Sequence, residues 1–224
     1  MEKKNIGNID MVALVILNIA LWLIFASAKD GSRANFSRQL IAEAIGSTAI
    51  ALLACALFLS TRLRFLEPYF GGLDQMYQTH KQAAMLAIFL LFVHFFTVPL
   101  NASQLKPGTL LGVIVFLGLL ALVLLTIAPR IPVIGRFTRF AYHKWRRSHR
   151  FIGIFFTLGF AHAMLVDPLV RRKTVSFMYL LIVFSAGAAS YLYSVFIAKD
   201  VRKTYPYVAE AICKLNGTTV QVTL

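Results

Sequence analysis

Charged side chains are scarce in this sequence of 224 residues: they make up 14% of it, and only nine residues are Asp or Glu. A soluble globular domain carries about 25% charged residues, so the composition argues against an ordinary soluble fold. Hydrophobic residues make up 58% of the chain, and the mean hydropathy is +0.72. The chain is therefore predicted to be a membrane protein.

Cysteine is almost absent, with Cys55 and Cys213 as the two occurrences. They do not form a Cys-x-x-Cys pair, so neither a cysteine-ligated metal site nor a disulfide framework is indicated. The sequence also lacks an EF-hand loop and so gives no support to calcium control.

Long apolar runs fill the parts of the sequence that have few charged residues. At 1.5 Å of rise per residue, about 20 residues cross the hydrocarbon core of a bilayer, and only helices satisfy their own backbone hydrogen bonds in lipid. We therefore predict an all-α membrane protein, a bundle of six transmembrane helices in contact with the lipid bilayer. The six predicted spans are residues 9–28, 40–60, 80–100, 109–129, 149–167 and 174–197.

The net charge of +14 could indicate nucleic-acid binding, but its distribution suits a membrane protein better. With both termini on one side of the bilayer, that side carries sixteen Lys and Arg residues and the other side seven. The richer side is the cytoplasm by the positive-inside rule. We therefore predict cytoplasmic termini and no nucleic-acid partner. The most basic connection, residues 130–150, suits either anionic lipid or a cytosolic docking partner.

Four of the five histidines form a pattern on two predicted spans. His80 and His94 are fourteen residues apart on the third span, and His149 and His162 are thirteen apart on the fifth. Both spans run outward, so His80 should lie level with His149, and His94 level with His162. Neutral imidazole is a good axial ligand for haem iron. The pattern therefore predicts two stacked bis-histidine haems of b type.

Two details of this pattern need a structural answer. Thirteen helical residues turn through about 1300°, which leaves His149 and His162 about 140° apart around the helix. Tilt, a bulge or ligation from opposite ring edges must absorb that angle. Lys81 and Arg150 each follow an inner histidine. Each is a candidate partner for haem propionates, or an ordinary cation at the membrane interface.

The spacing H-x13-H followed by H-x12-H, on the third and fifth of six helices, resembles the ferric reductase-like transmembrane domain. The closer resemblance is to the NADPH oxidase family, and to its bacterial members, over about residues 9–203. It implies an oxidoreductase of the plasma membrane. In that family a cytosolic domain passes hydride from NADPH to FAD. Electrons then cross two haems to extracellular dioxygen, giving superoxide.

The last part of the sequence differs in character from the spans. Residues 220–224 alternate like a strand after a turn at Asn216 and Gly217. The resemblance implies a transmembrane haem domain over 1–203 and the truncated start of a cytosolic FAD-binding domain over 204–224. The rest of that dehydrogenase domain would carry FAD and NADPH and dock on loops 61–79 and 130–148. These residues alone should not oxidise NADPH.

The resemblance also assigns two further residues. Phe155 matches an aromatic between the haems, and Arg38 matches an outward arginine, with Arg33 as the other candidate. A second outer histidine of the family is replaced by Val98, so the terminal acceptor stays open. A ferric-chelate reductase and a quinol-linked haem subunit of the same fold are the alternatives. A transporter with incidental histidines is the alternative from another class.

Overall fold

The computed structural model describes residues 5–25, 35–99, 106–127, 142–166, 174–201, 211–214 and 220–223. Five of its helical segments are long and apolar enough to cross a membrane. Five of the six predicted spans are therefore confirmed by length and composition. These segments are α1 (Ile6–Ile24), α2 (Phe36–Ser60), α4 (Leu73–Thr97), α5 (Pro107–Ile127) and Val175–Ile197, which combines α8 (Thr174–Leu192) with a π-helical turn (Tyr193–Ile197).

The predicted span 149–167 is divided into two helices. α6 (Tyr142–His149) ends at the histidine, and α7 (Phe151–Leu165) has 15 residues. At about 1.5 Å per residue α7 alone is shorter than a hydrocarbon core about 30 Å thick. Arg150 joins them with helical angles, φ −64° and ψ −24°, and its N–H donates to the Arg147 carbonyl at 3.3 Å. The break is therefore a locally tightened turn.

Short elements connect and follow the long helices. A 3-10 turn (Arg64–Leu66) and α3 (Glu67–Phe70) lead from α2 to α4. Gly71 and Gly72, with φ of 79° and 107°, make that reversal in backbone conformations that side chains disfavour. The segment after α8 closes with α9 (Ala198–Val201). Val98 leaves α4 with ψ 131° because it precedes Pro99.

α2 is the central helix. In its most apolar stretch of 18 residues, 67% of the residues are buried, against 11–17% in the corresponding stretches of the other four candidate spans. It packs against α1, α4 and α8, while α5 packs against α7. Small side chains such as Ala49 and Ala54 let these neighbours approach closely. The main core cluster joins Leu52 and Leu53 to Ala87 and Phe156.

Large apolar side chains cover the outside of the helices. Leu23, Phe89 and Ile182 are 75%, 61% and 68% exposed. A soluble protein rarely exposes so much apolar surface in one place. This surface, together with the five candidate spans, supports a multi-pass membrane protein in contact with lipid.

The strand predicted near the end of the sequence is present. β2 (Val220–Thr223) pairs antiparallel with β1 (Ala211–Lys214), with Ala211 opposite Thr223. The predicted turn at Asn216 and Gly217 lies outside the described residues. The assignment of 204–224 to a FAD-binding domain stays a prediction.

Close packing of α8 on α2 yields a stability test. A Cβ at Gly187 would lie 2.9 Å from both Ala54 Cα and Phe156 Cζ, whereas a Cβ at Gly159 would meet Val115 at an ordinary 3.6 Å. Overpacking costs about 1–3 kcal/mol. Gly187→Ala should therefore lower the midpoint of thermal unfolding in detergent.

The control is Gly159→Ala, which makes the same chemical change in a helix with room for it, and both variants are compared in ligand-free protein because Gly159 lines an internal cavity. It should leave the midpoint unchanged or raise it, since Ala is the better helix former. Equal midpoints for the two variants would contradict the close α2–α8 contact.

Candidate functional site

A cavity lies between two pairs of helices. α4 packs on α2, and α7 packs on α5, so the cavity is enclosed between these pairs, with α1 and α8 closing its sides. Its lining is mainly apolar and aromatic. The polar side chains among its described lining residues are Trp22, Glu43, Ser47, His94 and His162.

His94 and His162 face each other in this cavity. Their ring centroids are 6.4 Å apart, and the ring planes are at 78°. A metal-bound imidazole nitrogen lies about 2 Å from the metal, and the ring centre lies about 1 Å beyond it. Two imidazoles on opposite sides of one iron should therefore have centroids about 6 Å apart. The observed separation fits the two axial positions of a haem.

Hydrogen bonds orient both rings. His94 Nδ1 lies 2.7 Å from the Ala42 carbonyl oxygen, and His162 Nδ1 lies 2.8 Å from that of Gly108. A carbonyl only accepts, so Nδ1 must carry the proton, and the lone pair is left on Nε2. The same second-shell arrangement orients histidines that bind metals and raises their basicity. Both rings therefore present Nε2 as the free donor atom.

Two glycines let the rings reach those carbonyls. A Cβ at Gly46 would lie 2.9 Å from His94 Nδ1, and one at Gly112 would lie 2.5 Å from His162 Cε1. Each glycine is four residues after the carbonyl in question, one turn along the same helix. The imidazoles thus pack directly against the backbones of α2 and α5. Sequence reasoning missed both positions, although a glycine inside an apolar helix often marks a close contact.

The two inner histidines are held differently. His80 Nδ1 donates to the Ala56 carbonyl at 2.8 Å. The His149 Nδ1 atom is buried and has no hydrogen-bond partner within the described part of the chain. Its ring instead packs on Trp145, with centroids 5.1 Å apart. Three of the four predicted ligands thus share one orienting bond, and His149 differs.

The tightened turn at Arg150 bears on the angular mismatch between His149 and His162. In a 3-10 turn each residue advances by about 120°, compared with about 100° in an α-helix. The extra rotation reduces the mismatch of about 140° expected from an ideal helix. One such turn adds at most about 60°, so this local tightening accounts for part of the mismatch. It was not among the options that the sequence suggested.

The remaining predicted residues are placed differently. Phe155 lines the cavity, and its ring packs so tightly on Gly118 of α5 that a Cβ there would collide with it. Lys81 and Arg150 are exposed. Arg38 donates to the carbonyls of Thr97 at 2.7 Å and Phe96 at 3.1 Å, so it caps the end of α4 rather than lining the cavity.

Arg33, the other candidate for the outward arginine, lies outside the described residues. No group of three or more His, Cys, Asp and Glu side chains suited to a metal ion occurs in the ranges that the structure describes.

Residues 45–160 match the family model described as the ferric reductase like transmembrane component. The match covers just over half of the chain and runs from α2 into α7. It includes His80, His94 and His149 and ends two residues before His162. A search of curated proteins found no significant match.

The glycine contacts generate a second test. In Gly112→Ala the new Cβ would lie 2.5 Å from His162 Cε1, so the ring must move away from its present place. If this pair holds a haem, the variant should lose that haem selectively. Difference spectra and haem content per chain measure the loss. The His80–His149 pair provides an internal control, because loss from both levels would indicate general unfolding.

Proposed function

This chain belongs to the ferric reductase-like transmembrane family, and from that membership we propose that it is an oxidoreductase subunit that carries electrons across the membrane through two b-type haems. The observation that carries the proposal is the His94–His162 pair. Its centroid separation of 6.4 Å and the two Nδ1–carbonyl bonds suit bis-imidazole ligation of one iron.

The four histidines would hold the haems at two depths. His94 and His162 are the proposed ligands on the outer side, and His80 and His149 those on the inner side. Lys81 and Arg150 are the proposed partners of haem propionates at the inner edge. In this arrangement α7 serves as the fifth span and is continued by the last residue of α6, His149, since the tightened turn at Arg150 keeps the two helices nearly continuous.

A haem held in this way supplies a one-electron redox couple. The chain's own residues provide the surroundings. Carbonyls of α2 and α5 fix the imidazole tautomers, and apolar cavity walls exclude water from the ligands. Phe155 lies on α7, between His149 and His162 in sequence. Its ring would supply a polarisable contact on the electron path between the inner and outer haem positions. With two histidines bound to each iron, oxygen would not be expected to bind at the metal.

The proposed direction of electron flow is from the cytoplasm outward. The donor would be FAD, reduced by NADPH, in a cytosolic dehydrogenase domain that follows residue 203 and docks on loops 61–79 and 130–148. Four basic residues, three on α6 and one directly after it, are exposed and suit an acidic docking face. They are Lys144, Arg146, Arg147 and Arg150. Both termini would lie in the cytoplasm. The chain would span the plasma membrane of a bacterium.

Dioxygen is the proposed acceptor, with superoxide as the product. A specific observation also favours the alternative of a ferric-chelate reductase. Val98 replaces the second outer histidine, and Arg38 already donates to two backbone carbonyls. Of the two groups expected at an oxygen site, the histidine is therefore missing and the arginine is already engaged. An Fe(III) chelate reduced at the protein surface would not require either group.

The ligand set is tested by histidine replacement in the full-length protein. His94→Ala or His162→Ala should each lower the haem content from two per chain to about one, with the inner haem retained. Reduced-minus-oxidised spectra and the pyridine haemochromogen assay measure this. His143→Ala is the matched control and should keep both haems. Retention of both haems in the first two variants would rule out the ligand assignment.

The acceptor is tested separately, with NADPH as donor to the full-length protein in liposomes. Superoxide dismutase should abolish reduction of external cytochrome c if dioxygen is the acceptor. Fast reduction of an Fe(III) chelate that is insensitive to the dismutase and persists without oxygen would favour the ferric reductase instead.

A further inference from the structure

The hydrogen bonds of the histidines follow a common register. On α2 the acceptors Ala42 and Ala56 are fourteen residues apart, matching the fourteen residues between His94 and His80 on α4. On α5 the acceptor for His162 is Gly108. On α5 and α7 the interval is thirteen residues, from His162 back to His149, which leads along α5 from Gly108 to Ala121. His149 Nδ1 makes no such bond to α5 among the described residues.

The neighbouring Leu122 carbonyl is bonded to a side chain of its own helix, Thr126. The Thr126 hydroxyl donates to the Leu122 oxygen at 2.9 Å, and the same hydroxyl accepts the Trp145 indole N–H at 3.1 Å. The Trp145 ring lies against His149 at a centroid distance of 5.1 Å and an interplanar angle of 32°. A chain of contacts from Leu122 through Thr126 and Trp145 thus ends on the face of His149, whose buried Nδ1 has no hydrogen-bond partner among the described residues.

We propose that Trp145 is a positioning residue for His149, anchored by Thr126, and that it takes the place of the carbonyl bond that orients the other three histidines. This inference rests on the proposed function, because it concerns an axial ligand of the inner haem. Trp145 is half-buried, and its indole N–H points to α5 rather than to water. It is one turn before His149 on α6, so the two rings lie on the same side of the helix.

The substitution of a ring contact for a hydrogen bond has an electronic consequence. A bond from Nδ1–H to a carbonyl increases the basicity of the coordinating nitrogen and favours the ferric state. His149 lacks that bond within the described structure, while its partner His80 has it. The inner iron would therefore have one strongly and one weakly donating ligand. Trp145 would set the plane of the weaker one, on which the spectrum of a low-spin haem depends.

The alternative is that Trp145 is an ordinary interfacial aromatic, of the kind that anchors helices at the headgroup level. Such a residue would affect stability or insertion but not the electronic state of one haem. Readouts specific to the inner haem separate the two roles.

The test uses the full-length protein with both haems bound. Trp145→Leu removes the ring, Trp145→Phe keeps a ring but removes the N–H, and Thr126→Val removes the anchor in a nearly isosteric way. The control is Thr157→Val on α7, which also removes a hydroxyl bonded to the carbonyl four residues earlier, Gly153, at 3.0 Å. The measurements are the low-spin electron paramagnetic resonance signals and the midpoint potentials of the two haems.

We expect Trp145→Leu to shift the g-values and midpoint potential of the inner haem and to leave the outer haem unchanged. Trp145→Phe should recover most of the shift, and Thr126→Val should move the inner signal by a smaller amount in the same direction as Trp145→Leu. Thr157→Val should change neither haem.

An unchanged inner signal in Thr126→Val, with a shift in thermal stability alone, would overturn the positioning role and leave the proposed function intact. Thr126→Val decides the question even if Trp145→Leu does not fold. If the unmodified protein binds no haem, the proposed function itself fails. The two failures are thus distinguishable.

Discussion

The bond between a histidine Nδ1–H and a backbone carbonyl of the neighbouring helix is the interaction on which this architecture depends. Among the described residues it occurs three times, twice between α4 and α2 and once between α7 and α5. An imidazole inside a membrane protein needs a partner for its N–H, because lipid offers none. Each bond satisfies that N–H, fixes the tautomer and turns Nε2 away from the helix that accepts it. Helix pairing and ligand orientation are therefore achieved by the same contact.

The demands of these bonds explain the composition of the helices that accept them. At two of the three bonds the imidazole packs on a glycine one turn after the accepting carbonyl, Gly46 or Gly112. Beside the Ala56 carbonyl that accepts from His80, the corresponding residue is Ser60. Glycine inside a helix is destabilising by about 1 kcal/mol relative to alanine. In a membrane, where helix association depends on close packing, the loss is offset by contact between ring and backbone. Gly118 plays the same part for the Phe155 ring.

Hydropathy and spacing predicted much of this arrangement. Apolar runs identified five spans, and the intervals between histidines placed His94 and His162 at one level, where the structure brings them together. Their role as ligands remains a prediction. The carbonyl acceptors could not be foreseen, because they depend on which helices pair and in which register. Nor could the turn at Arg150, which is a local deviation from ideal geometry within an unbroken apolar pattern.

The two histidine–carbonyl bonds between α2 and α4 fix the register of these helices relative to each other. Two histidines fourteen residues apart are matched to two carbonyls fourteen residues apart, so a slide by one helical turn, about 5.4 Å, would break both bonds together. Within the described residues the opposite half carries one such bond, and its other imidazole, His149, ends the basic helix α6 at a tightened turn. Motion imposed on α6 would therefore reach the histidines through His149, while the other three stay in register.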